Sequence, residues 1–235
     1  MRQIRIPKGE GSVEVEPGVT WWVLGERLRD TGMGPRVYPT SAPRSTVSGW
    51  LAENGVGVGS YEFGWLLQNV LSVEIVGAVG GRSTIEGSEA LRHFVGSRGS
   101  MGLVVRATLA TRRADDDVPV AVLFRDAGDL GKAVTDLDRG GVPLWHLGFL
   151  NAAMARARRF ETGPVLFGAY PKERSDVIEP ALKSVAESHR GTFFLEGRPN
   201  APGSRGSSRR ATWGRPPGRV GRWFGANVWR RHYSR

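Results

Sequence analysis

Four histidines, no cysteine and one glycine-dense stretch are the chemistry this sequence has to offer. The histidines, His93, His146, His189 and His232, form neither H-E-x-x-H nor H-x-H, so metal-ligand spacing is absent and each reads as a surface or packed side chain. Without cysteine there are no disulfides, no thiolate nucleophile and no thiolate zinc site. No G-x-S-x-G elbow supports acyl transfer. The stretch "PTSAPRSTVSGWLAENGVGVGSYEFG" from Pro39 to Gly64 is rich in glycine and hydroxyl side chains. Glycine costs conformational entropy on folding, so this density calls for close approach of a ligand or for turns at positive φ. The dinucleotide pattern G-x-G-x-x-G fails here: Gly55 and Gly57 are correctly spaced, but Ser60 occupies the third position. The P-loop pattern is absent.

The elements that would position this stretch follow from periodicity. "SVEVEPG" alternates as a strand, and Thr20 opens a helix with Trp21, Leu24 and Leu28 on one face. "VLSVEIVGAVGGRSTIEG" reads as a hairpin joined by Gly-Gly. "SEALRHFVGSRG" reads as a short helix with Ser88 as N-cap, and "MGLVVRATLATRR" as a strand. The run Asp115-Asp116-Asp117 marks a boundary. Beyond it the order is β-α-β-β-α-β, the ferredoxin-like split arrangement, with the helical turn "AAMARARRF" between the middle strands and Pro180 inside the last helix.

Charge divides the chain differently. The formal net charge is +10, but residues 1–190 hold 23 Lys and Arg against 22 Asp and Glu, so +9 lies in the last 45 residues. That tail has no Leu or Ile after Leu195 and no period, and is expected to be disordered, binding nucleic acid through its arginines or arising from a shifted reading frame. No signal peptide or stretch of about 18 apolar residues occurs, which gives the expectation of a cytoplasmic protein without a membrane span.

Three separated segments, "VEVEPGVTWWVLGERLRDTG", "YPTSAPRSTVSGWLAENGVGVGSYEFGWLLQNVLSVEIV" and "GSRGSMGLVVRATL", resemble in order and spacing the FAD-binding domain of the vanillyl-alcohol oxidase and p-cresol methylhydroxylase type, in its glycolate oxidase and D-lactate dehydrogenase branch. The resemblance implies an α+β fold: residues 1–114 as the C-terminal part of an FAD-binding domain, 115–196 as a ferredoxin-like cap domain, and 197–235 as the tail. It implies a flavin-dependent oxidoreductase that oxidises a 2-hydroxy acid such as glycolate or D-lactate. FAD would be the cofactor, and a companion chain would supply the N-terminal FAD subdomain that in the family precedes "VEVEPG".

The resemblance also assigns residues. Ser45, Thr46, Val47, Gly49 and Trp50 would pass over the FAD pyrophosphate, where backbone N–H groups and small hydroxyls can satisfy phosphate oxygens. Ser48 stands where the family has glycine. Gly55, Gly57, Ser60, Tyr61 and Gly64 would run beside the ribityl chain and flavin. Gly102, Leu103 and Val104 would meet the adenine through the main chain. Trp145 and His146 could face substrate from the cap, His146 being the weak catalytic candidate. Trp21 and Trp65 read as packing residues.

Overall fold

The computed structural model describes residues 2–7, 11–114, 116–157 and 163–195. They divide into two compact units between Asp115 and Asp116. The expectations for the Arg-rich tail and for His232 fall outside the described residues.

The first unit is built on a six-stranded antiparallel sheet of β1 (Ile4–Arg5), β2 (Ser12–Val15), β3 (Met33–Pro35), β4 (Val70–Val76), β5 (Arg82–Glu86) and β6 (Leu103–Arg113). The order is β1-β2-β6-β4-β5, with β3 on the far end of β6. Alternation gives the sheet two faces. Val13 and Val15 of β2 lie opposite Leu109 and Ala107 of β6, Val73 of β4 also lies opposite Ala107, and all five are buried. On the other face Ser72 Oγ donates to Thr108 Oγ1 at 3.0 Å, and Glu74 takes Arg82 at 3.1 Å.

Four helices accompany this sheet: α1 (Trp21–Arg29), α2 (Val47–Glu53), α3 (Ser60–Phe63) and α4 (Ser88–Leu91). Thr20 caps α1 through its hydroxyl, which accepts from Val23 N, and the predicted face Trp21, Leu24, Leu28 is fully buried. Each such leucine is worth about 1.5–3 kcal/mol of transfer free energy. The β4–β5 hairpin forms as the sequence predicts. Ser88 is not the cap of α4: it is the first helical residue, and the cap position falls on Gly87 at φ 83°, a conformation that a serine would enter only at a cost.

The second unit contains β7 (Asp117–Leu123), α5 (Ala127–Arg139), β8 (His146–Leu150), α6 (Ala152–Ala157), β9 (Val165–Pro171), α7 (Ser175–Ser188) and β10 (Thr192–Leu195). Its sheet runs β10-β7-β9-β8, every neighbour antiparallel, which is the ferredoxin-like arrangement. Pro180 is tolerated on the exposed side of α7, where the main-chain bond it cannot make faces water.

One polar clasp ties the ends of α5 and α7. Arg190, at φ 55°, contacts the buried Asp129 carboxylate at 2.7 and 2.8 Å, while His189 Nε2 lies 2.7 Å from Asp136 Oδ2. The hydrogen bond from Arg190, with the attraction of its charge, holds the Asp129 carboxyl below the usual carboxylate range against the opposing effect of burial. Removing one partner leaves a buried carboxylate uncompensated. Arg190→Ala is therefore expected to lower the thermal midpoint of this unit, and the double variant with Asp129→Asn to lower it no further. Circular dichroism melts of the three variants measure this, and strictly additive losses would rule the clasp out.

Candidate functional site

The sequence-assigned phosphate segment enters α2. Thr46 is its N-cap, in extended conformation, and its hydroxyl accepts from Gly49 N at 3.2 Å. The other amides of the turn are also engaged inside the protein: Val47 N donates to Val19 O (2.8 Å), Ser48 N to Pro17 O (3.4 Å) and Trp50 N to Thr46 O (3.2 Å). Ser45 N donates to Ser41 O. The expectation that the backbone of this segment cradles pyrophosphate thus meets amides that already have partners. Its free capacity lies in side chains instead: the hydroxyls of Ser41 and Ser45 stand 2.6 Å apart on the surface. Gly49 is exposed, and a Cβ there would approach only Thr46 Oγ1, at 3.1 Å. Ser48, the departure from the family pattern, donates its hydroxyl to Pro17 O at 3.0 Å, so its side chain serves the fold.

The glycines after α2 have internal reasons. A Cβ on Gly55 would strike the Trp50 indole, and one on Gly57 would strike the Tyr38 carbonyl oxygen. Tyr38 and Val58 form an isolated two-bond bridge that holds these backbones together. Ser60 takes the Gly57 amide on its hydroxyl at 3.0 Å, and Tyr61 is half-buried beside it on α3. Gly59 and Gly64 flank α3 at φ 88° and 71°, which glycine alone enters freely. Two amides of this loop, Gly55 N and Val56 N, have no partner among the described residues.

Gly102, Leu103 and Val104 begin β6. Gly102 sits at φ 139° with its Cβ side against Val76 O. β2 joins β6 only from Ala107 onward, so over Leu103–Arg106 the edge of β6 turned away from β4 has no strand partner among the described residues. Main-chain groups there are open to a ligand. The preceding loop reaches the C-terminal end of α2, through Gly96 N to Leu51 O (2.8 Å) and Arg98 N to Ala52 O (3.0 Å). The structure thus gathers the glycine loop and the approach to β6 at that end of α2, with Ser45 to Gly49 at the other end.

In the second unit Trp145 and His146 are both buried. The His146 ring lies 5.7 Å from that of Phe167, and burial pushes its imidazole down to about 4. It is neutral at physiological pH and a weak proton acceptor. Among the described residues no group of three or more His, Asp or Glu is placed to hold a metal, and no helix is long and apolar enough to cross a membrane.

Of the two tryptophans read as packing residues, one departs from that reading. Trp21 packs as expected, edge-on to Trp50 with ring centroids 5.1 Å apart. Trp65 does not: it is 52% exposed. The signal that could have shown this is its place directly after Gly64, at the end of the glycine stretch.

A flavin dinucleotide needs donors for two phosphates and a planar slot for its rings. The described residues fit it in part, through the open edge at Leu103–Val104, the unpartnered amides of Gly55 and Val56, and the Ser41 and Ser45 hydroxyls. Comparison with known proteins agrees. Residues 1–85 match the family described as FAD binding domain. A probable mitochondrial D-lactate dehydrogenase of Danio rerio is 31% identical over 157 residues, covering 62% of this chain and 31% of that protein. A mitochondrial D-lactate dehydrogenase (cytochrome) of Arabidopsis thaliana is 25% identical over 207 residues, covering 78% of this chain and 35% of the relative. The chain spans about a third of the length of these curated relatives. A solved alkyldihydroxyacetonephosphate synthase structure shares the fold with a TM-score of 0.74 at 15% identity, over 97% of this chain and 46% of that one. Family match and relatives point one way: residues 1–85 match an FAD binding domain, and the cofactor is FAD.

Proposed function

We propose that this chain forms part of an FAD-dependent dehydrogenase of a 2-hydroxy acid, with D-lactate as the favoured substrate and glycolate as the smaller alternative. The observation that carries this reading is the reach of the likeness. The Arabidopsis thaliana D-lactate dehydrogenase aligns over 78% of the chain, more than the first unit alone could supply, so the similarity continues into the ferredoxin-like unit. When bound, the flavin accepts the hydride that leaves the carbon bearing the substrate hydroxyl. In this reading Ser45, Thr46 and Gly49 border the phosphates, Gly55 to Gly64 border the ribityl and ring end, and Leu103 and Val104 hold the adenine by main-chain bonds. Trp145 and His146 serve packing in the second unit. Because the chain spans about a third of its relatives, the remainder of the FAD site comes from sequence outside this chain, in the same polypeptide or a companion. The nucleic-acid reading rests on the tail alone, outside the described residues, and the names of these relatives lend it nothing.

The test is a titration of FAD fluorescence with the chain and with Gly49→Asp. Gly49 is exposed and a Cβ there meets only the Thr46 hydroxyl, at 3.1 Å, so an aspartate asks a shift of a few tenths of an ångström from that side chain while placing a carboxylate beside the proposed phosphates. Binding is expected to fall at least tenfold in the variant, with the melting profile retained. Equal binding by both proteins would remove the phosphates from this segment.

A further inference from the structure

The surface beside the two unpartnered amides has an unusual owner. Trp65 is 52% exposed and Val56 55%, and Leu66 N donates to Gly55 O at 3.2 Å, which brings the two segments together. An exposed indole is ordinary on a mobile loop. Here the backbone is pinned. Asn69, itself 3% exposed, donates both amide hydrogens, to Phe63 O and to Trp65 O, each at 2.9 Å. Asn54 Oδ1 accepts from Leu67 N at 3.0 Å. Two side chains, one of them fully buried, thus fix the loop on either side of a tryptophan that packs half in water.

We propose that Trp65 is a stacking platform for the isoalloxazine ring of the flavin, with the Gly55 and Val56 amides donating to ring carbonyls. Isoalloxazine suits this surface better than adenine does. Its pyrimidine edge carries two carbonyl acceptors flanking one N–H, whereas an adenine edge offers a single ring-nitrogen acceptor beside an amino donor, so it can satisfy one of two N–H groups and repels the other. A rigid aromatic platform loses little entropy on binding and gains stacking energy. The inference rests on FAD occupying this unit, as proposed above, and adds which ring lies where.

The experiment uses the full chain with FAD, riboflavin and AMP as separate ligands, reading flavin emission for the first two and competition against FAD for the third. Trp65→Ala is expected to weaken FAD and riboflavin alike by about tenfold and to leave AMP competition unchanged, and Trp65→Phe is expected to keep most of the affinity. If Trp65→Ala binds FAD as the parent does, the platform is wrong and the FAD site stands. If AMP competition is what the variant loses, the ring on Trp65 is adenine and the assignment is overturned. If the parent binds none of the three, both readings fall. A melt of Trp65→Ala accompanies the titrations. An unchanged midpoint supports the exposed position, and a large drop would make Trp65 a packing residue.

Discussion

Gly57→Ala is expected to destabilise the first unit by about 3 kcal/mol, near the upper end for overpacking. A methyl at this position would run into the Tyr38 carbonyl oxygen and lie 3.0 Å from its carbon. The obstacle is backbone, and it cannot swing aside as a side chain could. Tyr38 and Val58 exchange two hydrogen bonds, Tyr38 N to Val58 O at 3.1 Å and Val58 N to Tyr38 O at 2.9 Å, so relief requires breaking the bridge. Tyr38 and Val58 are themselves buried, and any shift opens the core around them. Gly49→Ala supplies the contrast: exposed on α2, it meets only the Thr46 hydroxyl and gains helix propensity of roughly 0.5–1 kcal/mol. Urea unfolding of the two variants compares them directly. A Gly57→Ala midpoint equal to that of the parent would mean that the Tyr38–Val58 bridge does not form in solution.

Acidification from pH 6.5 to 4 is expected to cost the second unit about 3 kcal/mol through His146 alone. The sign follows from proton binding. The folded imidazole titrates at about 4 and the unfolded one at its ordinary 6.5, so between these values the unfolded state holds the extra proton and stability falls as pH falls. Above 6.5 the contribution is constant. Below about 4 its loss is complete. Asp129 behaves differently, since its lowered carboxyl contributes stability above its ordinary value of 3.8 that disappears only in more acid solution. The two windows therefore separate. Denaturant melts at several pH values, for the parent and for His146→Gln, would read the difference. The variant should lose most of the slope between pH 6.5 and 4, and an unchanged slope would place His146 in water.

These two residues also show what a sequence can and cannot disclose. The spacing of Trp21, Leu24 and Leu28 carries its own helix face, because the partners of that pattern lie within one turn or two. The β-α-β-β-α-β order of the second unit is likewise local, each element bounded by its own turn chemistry. Gly57 is different. Its density of glycine neighbours signals close approach, but the atom approached belongs to Tyr38, and nothing in the spacing distinguishes a carbonyl of the chain from a cofactor. The same holds for Gly55 under Trp50. Ser88 has the chemistry of a cap and lost the position to Gly87 because the chain enters α4 at positive φ. Trp65 looks apolar and therefore internal, yet its exposure is set by two asparagines that bind its loop, and asparagine in a sequence does not name its partner. His146 stands in an alternating strand whichever face is covered, so its burial could not be read in advance.

The strand order of the second unit has a consequence for synthesis. β7 is the first described strand of this unit to leave the ribosome, but it is central in the finished sheet, and one of its edges is closed by β10, the last described one. Until Thr192–Leu195 emerges, the buried run Val120, Ala121 and Val122 offers an unpaired edge to any other extended chain. Vectorial folding cannot hide it early, because the strand that covers it follows every other described element of the unit. A nascent chain halted before β10 is therefore the form of this protein most exposed to aggregation and to chaperone capture, whatever its final state contributes to flavin chemistry.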